Sequence, residues 1–264
     1  MGSYILRRSI RLDPPYYLSI FLVIGLTLVI QATSFYNGPN TEYESQRVLS
    51  HFLYITMIVG ENWINDVYWT LGIEFQYYFL IGLLFPLLMT KFRLPLILLL
   101  CIVTWFTPTE LKRVWISYWL PLFCIGILTY LHTASIVKKR PYFASLLTLV
   151  VFCFFKYDRL PITVVALITP LVILYVEPRN PPKFLNFLGN ISYSLYLVHL
   201  PIGNRIVNFG GRFVSSVPSL FALATVATSI SIAAGYVFYI VVERPSQKLS
   251  QKIKVRPKQI PQKT

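Results

Sequence analysis

Charged residues are scarce in this sequence, and acidic residues are the scarcest of them. Only 13% of the 264 residues are charged, whereas soluble domains carry about 25%. Ten acidic residues stand against 24 basic ones, while hydrophobic residues make up 55% of the chain and the mean hydropathy is +0.60. This composition excludes an ordinary soluble domain. Apolar runs of nearly bilayer length recur throughout, and they predict an all-α, polytopic membrane helical bundle.

Several kinds of chemistry are also missing from the sequence. The three cysteines, Cys101, Cys124 and Cys153, lie inside apolar runs, so no disulfide framework is predicted. No Cys/His cluster has metal-ligand spacing, and no P-loop, GxGxxG or GxSxG motif is present. The net charge of +14 comes from basic residues in short loops and near the C-terminus, a pattern that suits an anionic membrane face rather than nucleic acid.

Eight apolar segments predict about eight transmembrane helices. They cover residues 15–33, 68–90, 94–107, 115–131, 142–155, 161–176, 190–208 and 218–242. Two of them are short for a crossing, which needs about 20 residues, so their helices must extend into flanking polar positions. These segments define a membrane domain over residues 1–245, and the basic, polar residues 246–264 predict a disordered cytoplasmic tail.

The distribution of basic residues predicts the orientation. With the N-terminus inside, 17 of the 24 lysines and arginines fall on the cytoplasmic side, which is a clear positive-inside bias. Both termini are then cytoplasmic. The one long loop, residues 34–66, lies outside, and its apolar stretch 48–60 is too short to cross, so we expect that stretch at the membrane interface.

Three arginines precede the first apolar segment. Asp13 is predicted to be the N-cap of that helix, with two prolines in its first turn. The three arginines, Arg7, Arg8 and Arg11, then have two possible interpretations. They are either topology signals, or a cationic face for a phosphate-rich ligand, because Arg7 and Arg11 lie four residues apart.

Two ionisable residues lie well inside the predicted spans, where such groups are costly and are functional candidates. Glu74 shares its helix face with hydroxyl-bearing residues such as Tyr78, so it is either a structural hydrogen-bonding group or a functional one. His199 is either a packing residue or a catalyst. Similar depths would allow the two to share one cavity. At the end of the last span, Glu243 and Arg244 predict a helix stop with a local ion pair.

Four segments, taken in order, carry a family resemblance. The runs LRRSIRLDPPYY, YWTLGIEFQYYF, NISYSLYLVHLP and VVERPSQ extend from residue 6 to residue 247. Together they resemble the acyltransferase-3 family of integral-membrane acyltransferases. That resemblance implies a multi-pass enzyme of the plasma membrane, the inner membrane in bacteria. Its members move an acyl group, usually acetyl, from cytoplasmic acyl-CoA to a surface polysaccharide, lipopolysaccharide, peptidoglycan or small hydroxyl acceptor.

The resemblance also implies roles for individual residues. The arginine motif is associated with the phosphates of acyl-CoA. Glu74 and His199 become the candidate catalytic residues. The residues implied in substrate binding are Trp69, Tyr193, Ser194 and Tyr196, and those of the closing motif are Glu243 and Arg244. The implied partners are acyl-CoA, a glycan or similar acceptor and the bilayer; neither a metal nor a nucleic acid is implied.

One departure from the family pattern matters. The family core has ten spans and a catalytic histidine in the first, whereas here the arginine motif stands at the N-terminus. We therefore expect that two spans are absent, that they are to be supplied in cis or by a separate polypeptide, and that this chain alone has little activity. No residue matches that histidine, and its role is not transferred to His199. The alternatives are a small-molecule exporter with Glu74 and His199 as a proton relay, for which no inverted repeat is visible, or a non-catalytic remnant.

Overall fold

The protein is built from helices. The computed structural model describes residues 2–33, 40–107, 115–176 and 181–253, and these residues form no strand. The helices are α1 Gly2–Gln31, α2 Ser45–Phe52, α3 Thr56–Val59, α4 Tyr68–Leu88, α5 Arg93–Trp105, α6 Ile116–Thr133, α7 Lys139–Tyr157, α8 Leu160–Tyr175, α9 Lys183–Gly210, α10 Val217–Phe238 and α11 Arg244–Gln251. A π-helical turn, Tyr239–Glu243, joins α10 to α11. The predicted all-α class is confirmed.

Four helical stretches are long and apolar enough to cross a membrane. Among the described residues these are Ser3–Gln31, Tyr68–Leu88, Ile116–Thr133 and Val217–Gln251, and α5 and α8 are shorter apolar helices. Each of the eight predicted segments overlaps a helix. The architecture is that of a helical membrane protein, while the number of eight crossings stays a prediction.

The chain divides into two compact units. The first comprises Met1–Gly72 and Pro182–Thr264, and the second comprises Ile73–Pro181. The core of the second unit contains the three cysteines, which are all free and buried. The core of the first unit joins α1, the start of α4 and α9, and it carries most of the candidate site residues.

The first helix begins earlier than predicted. Asp13 is not an N-cap, because α1 starts at Gly2 and contains Pro14 and Pro15 in its interior. These prolines have no amide donors for the carbonyls four residues earlier. The N-terminal part of α1 nevertheless remains helical where it packs against α11. The Asp13 carboxylate instead accepts a hydrogen bond from the Tyr54 hydroxyl at 3.0 Å.

The last helix continues past its predicted stop. Pro245 cannot donate to the carbonyl of Val241, and the π turn immediately before it absorbs the mismatch in the hydrogen-bond ladder. The chain then forms α11, in which Ser246 and Ser250 are buried. The predicted disorder is therefore wrong for residues 246–251, and residues 254–264 lie outside the described part of the chain.

The predicted interfacial stretch folds back along α1. Its tip, Tyr54, contacts Asp13, which lies 18 residues before Gln31 and so roughly 27 Å from that end of the helix at 1.5 Å per residue. The hydroxyls of Tyr16 and Tyr17 donate to the carbonyls of the last two residues of α2 at 3.3 and 3.1 Å. These bonds satisfy carbonyls that a helix end leaves open. The stretch therefore contacts the middle of α1, and its position at the membrane interface stays a prediction.

Arg47 and His51 form hydrogen bonds within this segment. The Arg47 guanidinium donates to the carbonyls of Asn62 and Trp63, both at 2.9 Å. His51 is fully buried; its Nδ1 lies 2.8 Å from the Arg47 carbonyl and its Nε2 accepts the Ile64 amide at 3.1 Å. Since Nε2 must be an acceptor, the imidazole is neutral with its proton on Nδ1.

Acidification is expected to weaken this segment. Burial lowers the pKa of His51 below its ordinary value of 6.5, so the unfolded segment takes up a proton at a higher pH than the folded one. The stabilisation is complete above about pH 6.5 and is lost as the pH falls through the folded pKa. We expect the thermal unfolding midpoint in detergent to drop between pH 7.5 and pH 5, and to drop less in His51→Gln. An equal drop in both proteins would contradict this role of His51.

Candidate functional site

A pocket of about 400 Å³ lies where the start of α1 meets α11. The residues that line it are Tyr4, Arg7, Arg8, Arg11, Gln247, Ser250 and Gln251. The structure thus brings the three predicted arginines together in one concave site. The three residues from α11 belong to the segment predicted to be disordered, and sequence reasoning missed them. The available signal was Gln247 and Gln251 four residues apart, which share one helix face.

The residues that line the pocket give it a strongly positive charge. Three of its seven described lining residues are arginines, and none of these seven is acidic. Arg7 and Arg11 are exposed, while Arg8 is partly buried. Guanidinium groups present fixed forks of N–H donors that match phosphate and carboxylate oxygens, and the volume falls in the usual range for ligand pockets. The site is suited to a polyanionic ligand.

Glu243 lies directly behind this pocket. Its carboxylate is 3% exposed and accepts three hydrogen bonds: from the Ser194 amide at 3.1 Å, from the Ser194 hydroxyl at 2.5 Å, and from Nε2 of Gln247 at 2.7 Å. The predicted ion pair with Arg244 does not form among the described residues, because Arg244 is exposed and the carboxylate is occupied by these donors. Glu243 links the pocket to α9.

The other residues of the serine-tyrosine motif also link α9 to its neighbours. The Tyr193 hydroxyl donates to the carbonyl of Leu12 in α1 at 2.9 Å. The Tyr196 hydroxyl lies 2.8 Å from the Val67 carbonyl and is also hydrogen-bonded to the Thr70 hydroxyl. The predicted substrate-binding residues Tyr193, Ser194 and Tyr196 therefore hold helices together. Trp69, the fourth of them, is partly buried in the first turn of α4.

A second proline-related feature stabilises α9. Pro201 lies inside the helix and cannot donate to the carbonyl of Leu197. The Asn65 side chain donates to that carbonyl instead, at 3.1 Å, and Asn65 is itself buried. The segment that folds back along α1 therefore also supports the helix that carries His199.

His199 is oriented by the backbone of its own helix. Its Nδ1 lies 3.1 Å from the Leu195 carbonyl and 2.9 Å from the Tyr196 carbonyl. A contact with carbonyl oxygens requires a proton on Nδ1, so in the neutral ring Nε2 carries the lone pair. Within the described ranges, no hydrogen bond to Nε2 is found. A half-buried imidazole held in this way has the geometry of a proton acceptor.

Glu74 belongs to the second unit. It is partly buried, and its carboxylate accepts a hydrogen bond from the Tyr78 hydroxyl one turn further along α4, which confirms the predicted hydroxyl partner. Gln76 accepts the Ile116 amide at 3.0 Å and so connects α4 with the start of α6. Since Glu74 and His199 lie in different units, a cavity shared by them stays a prediction. No group of three metal-ligating side chains occurs in the part of the chain that the structure describes.

Comparison with known proteins agrees with the four-motif resemblance. The chain matches a family model described as an acyltransferase domain over residues 1–240. It is also 28% identical over 223 residues to ORF330 of Acidianus two-tailed virus, which is named as an acetyltransferase. That match covers 76% of this chain and 65% of ORF330, so the chain spans less than two thirds of this relative. No solved structure matches significantly. Because the family model covers most of the chain, the protein belongs to the acyltransferase-3 family.

Proposed function

We propose that this protein transfers an acyl group, in the first instance acetyl, from acyl-CoA to a hydroxyl of a cell-surface glycan or similar acceptor. Family membership supports acyl transfer in general. The observation that supports the donor is the pocket in which Arg7, Arg8 and Arg11 converge with no acidic residue among the described lining residues. Coenzyme A carries a diphosphate and a third phosphate, and these are the groups that clustered guanidinium ions bind best.

The proposed setting is a multi-pass protein of the plasma membrane, the inner membrane in bacteria, with about eight spans and both termini in the cytoplasm. The excess of basic residues on one side supports this orientation. It places the arginine pocket on the side where acyl-CoA is made. The donor would then enter from the cytoplasm and extend its thioester along α1 into the membrane domain.

The chemical step needs a group that accepts a proton. The acceptor oxygen forms a bond to the thioester carbon, the C–S bond breaks, the hydroxyl proton passes to a base, and coenzyme A leaves as a thiol after protonation. His199 is a candidate proton acceptor of this chain, distinct from the family's catalytic histidine, because its ring is fixed through Nδ1 and Nε2 is left as the basic atom. Glu74 is the second candidate, as a group that orients the acceptor or the base.

Arginine substitution tests the donor site directly. The double variant Arg8→Ala, Arg11→Ala should bind acetyl-CoA at least about 10-fold more weakly at low salt. Charge-assisted hydrogen bonds contribute about 1.5–3 kcal/mol when partly buried, and solvent screening reduces this for an exposed arginine. The measurement is calorimetric titration of the full chain in detergent at two salt concentrations, and the variant should also show a weaker salt dependence.

Arg244 provides the matched control. It is an exposed arginine at the start of α11 that does not line the pocket, so Arg244→Ala should leave the affinity nearly unchanged. Unchanged affinity in the double variant would reduce the three arginines to topology signals. An equal loss in Arg244→Ala would point to general charge attraction instead of a site.

A further inference from the structure

Gln247 connects the arginine pocket with the buried carboxylate behind it. Its side chain lines the pocket, and its Nε2 donates to Oε1 of Glu243 at 2.7 Å. Glu243 does not line the pocket, and its other oxygen is held by the amide and hydroxyl of Ser194. The amide of Gln247 therefore has one end that is fixed by the protein.

This contact determines which way the amide faces. A carboxylate offers acceptors only, so the NH₂ group of Gln247 must be the end that faces Glu243. The carbonyl oxygen, Oε1, is then the polar atom left for an occupant of the pocket, and it has no hydrogen-bond donor within the described residues. Beside three groups that donate to phosphates, Gln247 thus supplies a hydrogen-bond acceptor of fixed orientation.

We infer that Gln247 is a specificity-determining residue that accepts a hydrogen bond from the amino group of an adenine nucleotide bound in this pocket. The inference rests on the proposed function and names the end of the donor that lies here. A nucleotide joins phosphates to a base. Adenine carries an N–H donor on its edge, and the ring of Tyr4, in the same pocket, offers a face on which a base can stack.

Glu243 is in this account a positioning residue. It touches no ligand, but it prevents the amide of Gln247 from turning over to present its NH₂ group. The pocket should therefore distinguish adenine from hypoxanthine, which carries an oxygen where adenine carries the amino group. Two acceptors would then face each other, and a lost hydrogen bond with an unsatisfied polar atom lowers affinity by about 10-fold.

The test is titration of the full chain in detergent with ADP, with inosine diphosphate and with pyrophosphate. The wild type should prefer ADP over inosine diphosphate by about 10-fold. Gln247→Met keeps the length of the side chain and removes the acceptor, so it should abolish this preference while binding pyrophosphate as the wild type does. Retained pyrophosphate binding also shows that the variant is folded; if it does not fold, Gln247→Asn, which shortens the same amide, replaces it.

Two further variants sharpen the result. Gln251→Ala, which removes the neighbouring amide of the pocket, should keep the preference for ADP. Glu243→Gln should reduce that preference with little effect on pyrophosphate, which a purely structural role would not produce. Equal wild-type affinity for the two nucleotides, or a preference that survives Gln247→Met, would overturn the inference and leave the arginine site intact.

The pantetheine arm of acyl-CoA also contains N–H donors, so 4′-phosphopantetheine is titrated in parallel. If Gln247→Met weakened binding of 4′-phosphopantetheine and left ADP binding unchanged, Gln247 would accept its hydrogen bond from the pantetheine arm. The adenine assignment would then be wrong. If the wild type bound none of these phosphates, both the inference and the proposed donor site would fail.

Discussion

Glu243→Ala is expected to lower the free energy of unfolding by about 3–5 kcal/mol. The substitution leaves the hydroxyl of Ser194 without its acceptor and removes the carboxylate contact of its helical amide, and Ser194 is fully buried. A hydrogen bond to a charged group contributes about 1.5–3 kcal/mol. Gln247 loses its contact as well. The measurement is thermal or detergent-induced unfolding of both proteins under one set of conditions.

Two serines on α9 provide matched controls for this experiment. Ser192 is exposed, and among the described residues its hydroxyl bonds only to the Gly189 carbonyl of its own helix, so Ser192→Ala should change stability by no more than about 0.5 kcal/mol. Ser194→Ala should fall between the two, because its amide still reaches Glu243. A Glu243→Ala protein within about 1 kcal/mol of the wild type would show that this carboxylate does not hold α9 to the last helix.

Glu74→Gln is expected to reduce acyl transfer by up to about 10²- to 10⁴-fold, because a misoriented acceptor or base loses the typical contribution of base catalysis. The amide keeps the shape of the side chain and can still accept the hydrogen bond from Tyr78. Folding should therefore change little while the charge is lost. Transfer from radiolabelled acetyl-CoA is compared for wild type and variant in a complete enzyme context and in the same membranes, together with their unfolding midpoints.

Tyr78→Phe is the control for the structural role of the same contact. It removes the hydroxyl and leaves the carboxylate, so it should affect stability more than it affects turnover. If Glu74→Gln folds normally and retains full activity, the carboxylate is only a structural hydrogen-bonding group. A loss of folding equal to the loss of activity would lead to the same conclusion.

Local sequence signals predicted a helix start near the N-terminus and a helix stop near the C-terminus, and both predictions were wrong. Asp13 followed by two prolines predicts a helix start, and Pro245 after Glu243 and Arg244 predicts a helix stop. Both helices continue through these positions. A cap is worth about 1 kcal/mol, whereas packing of the start of α1 against α11 adds burial and contacts that the local pattern does not contain. The π turn then absorbs the missing amide of Pro245.

The contacts of the segment that folds back along α1 could not be predicted from the sequence, for a related reason. Its irregular backbone is satisfied by Tyr16, Tyr17, Arg47 and His51, and the two tyrosines lie 35 residues from the carbonyls they contact. Buried backbone groups must be paired, but the sequence does not show which distant side chain will pair with them. The contact of this stretch with α1 was therefore not predicted.

The sequence by itself determined the class of this protein and its family. Continuous apolar runs of nearly 20 residues predict helices, which satisfy their own backbone groups in lipid. Four spaced motifs carry the family resemblance, so neither conclusion needed a distance between helices. Only the tertiary structure decided what the arginines face, since the pocket also needs Gln247, Ser250 and Gln251 from the other end of the chain. The tertiary structure also decided that the buried residues Ser194 and Glu243 are hydrogen-bonded to each other. Periodicity along a helix reports which face a residue occupies, and a binding site depends on which faces of distant helices meet.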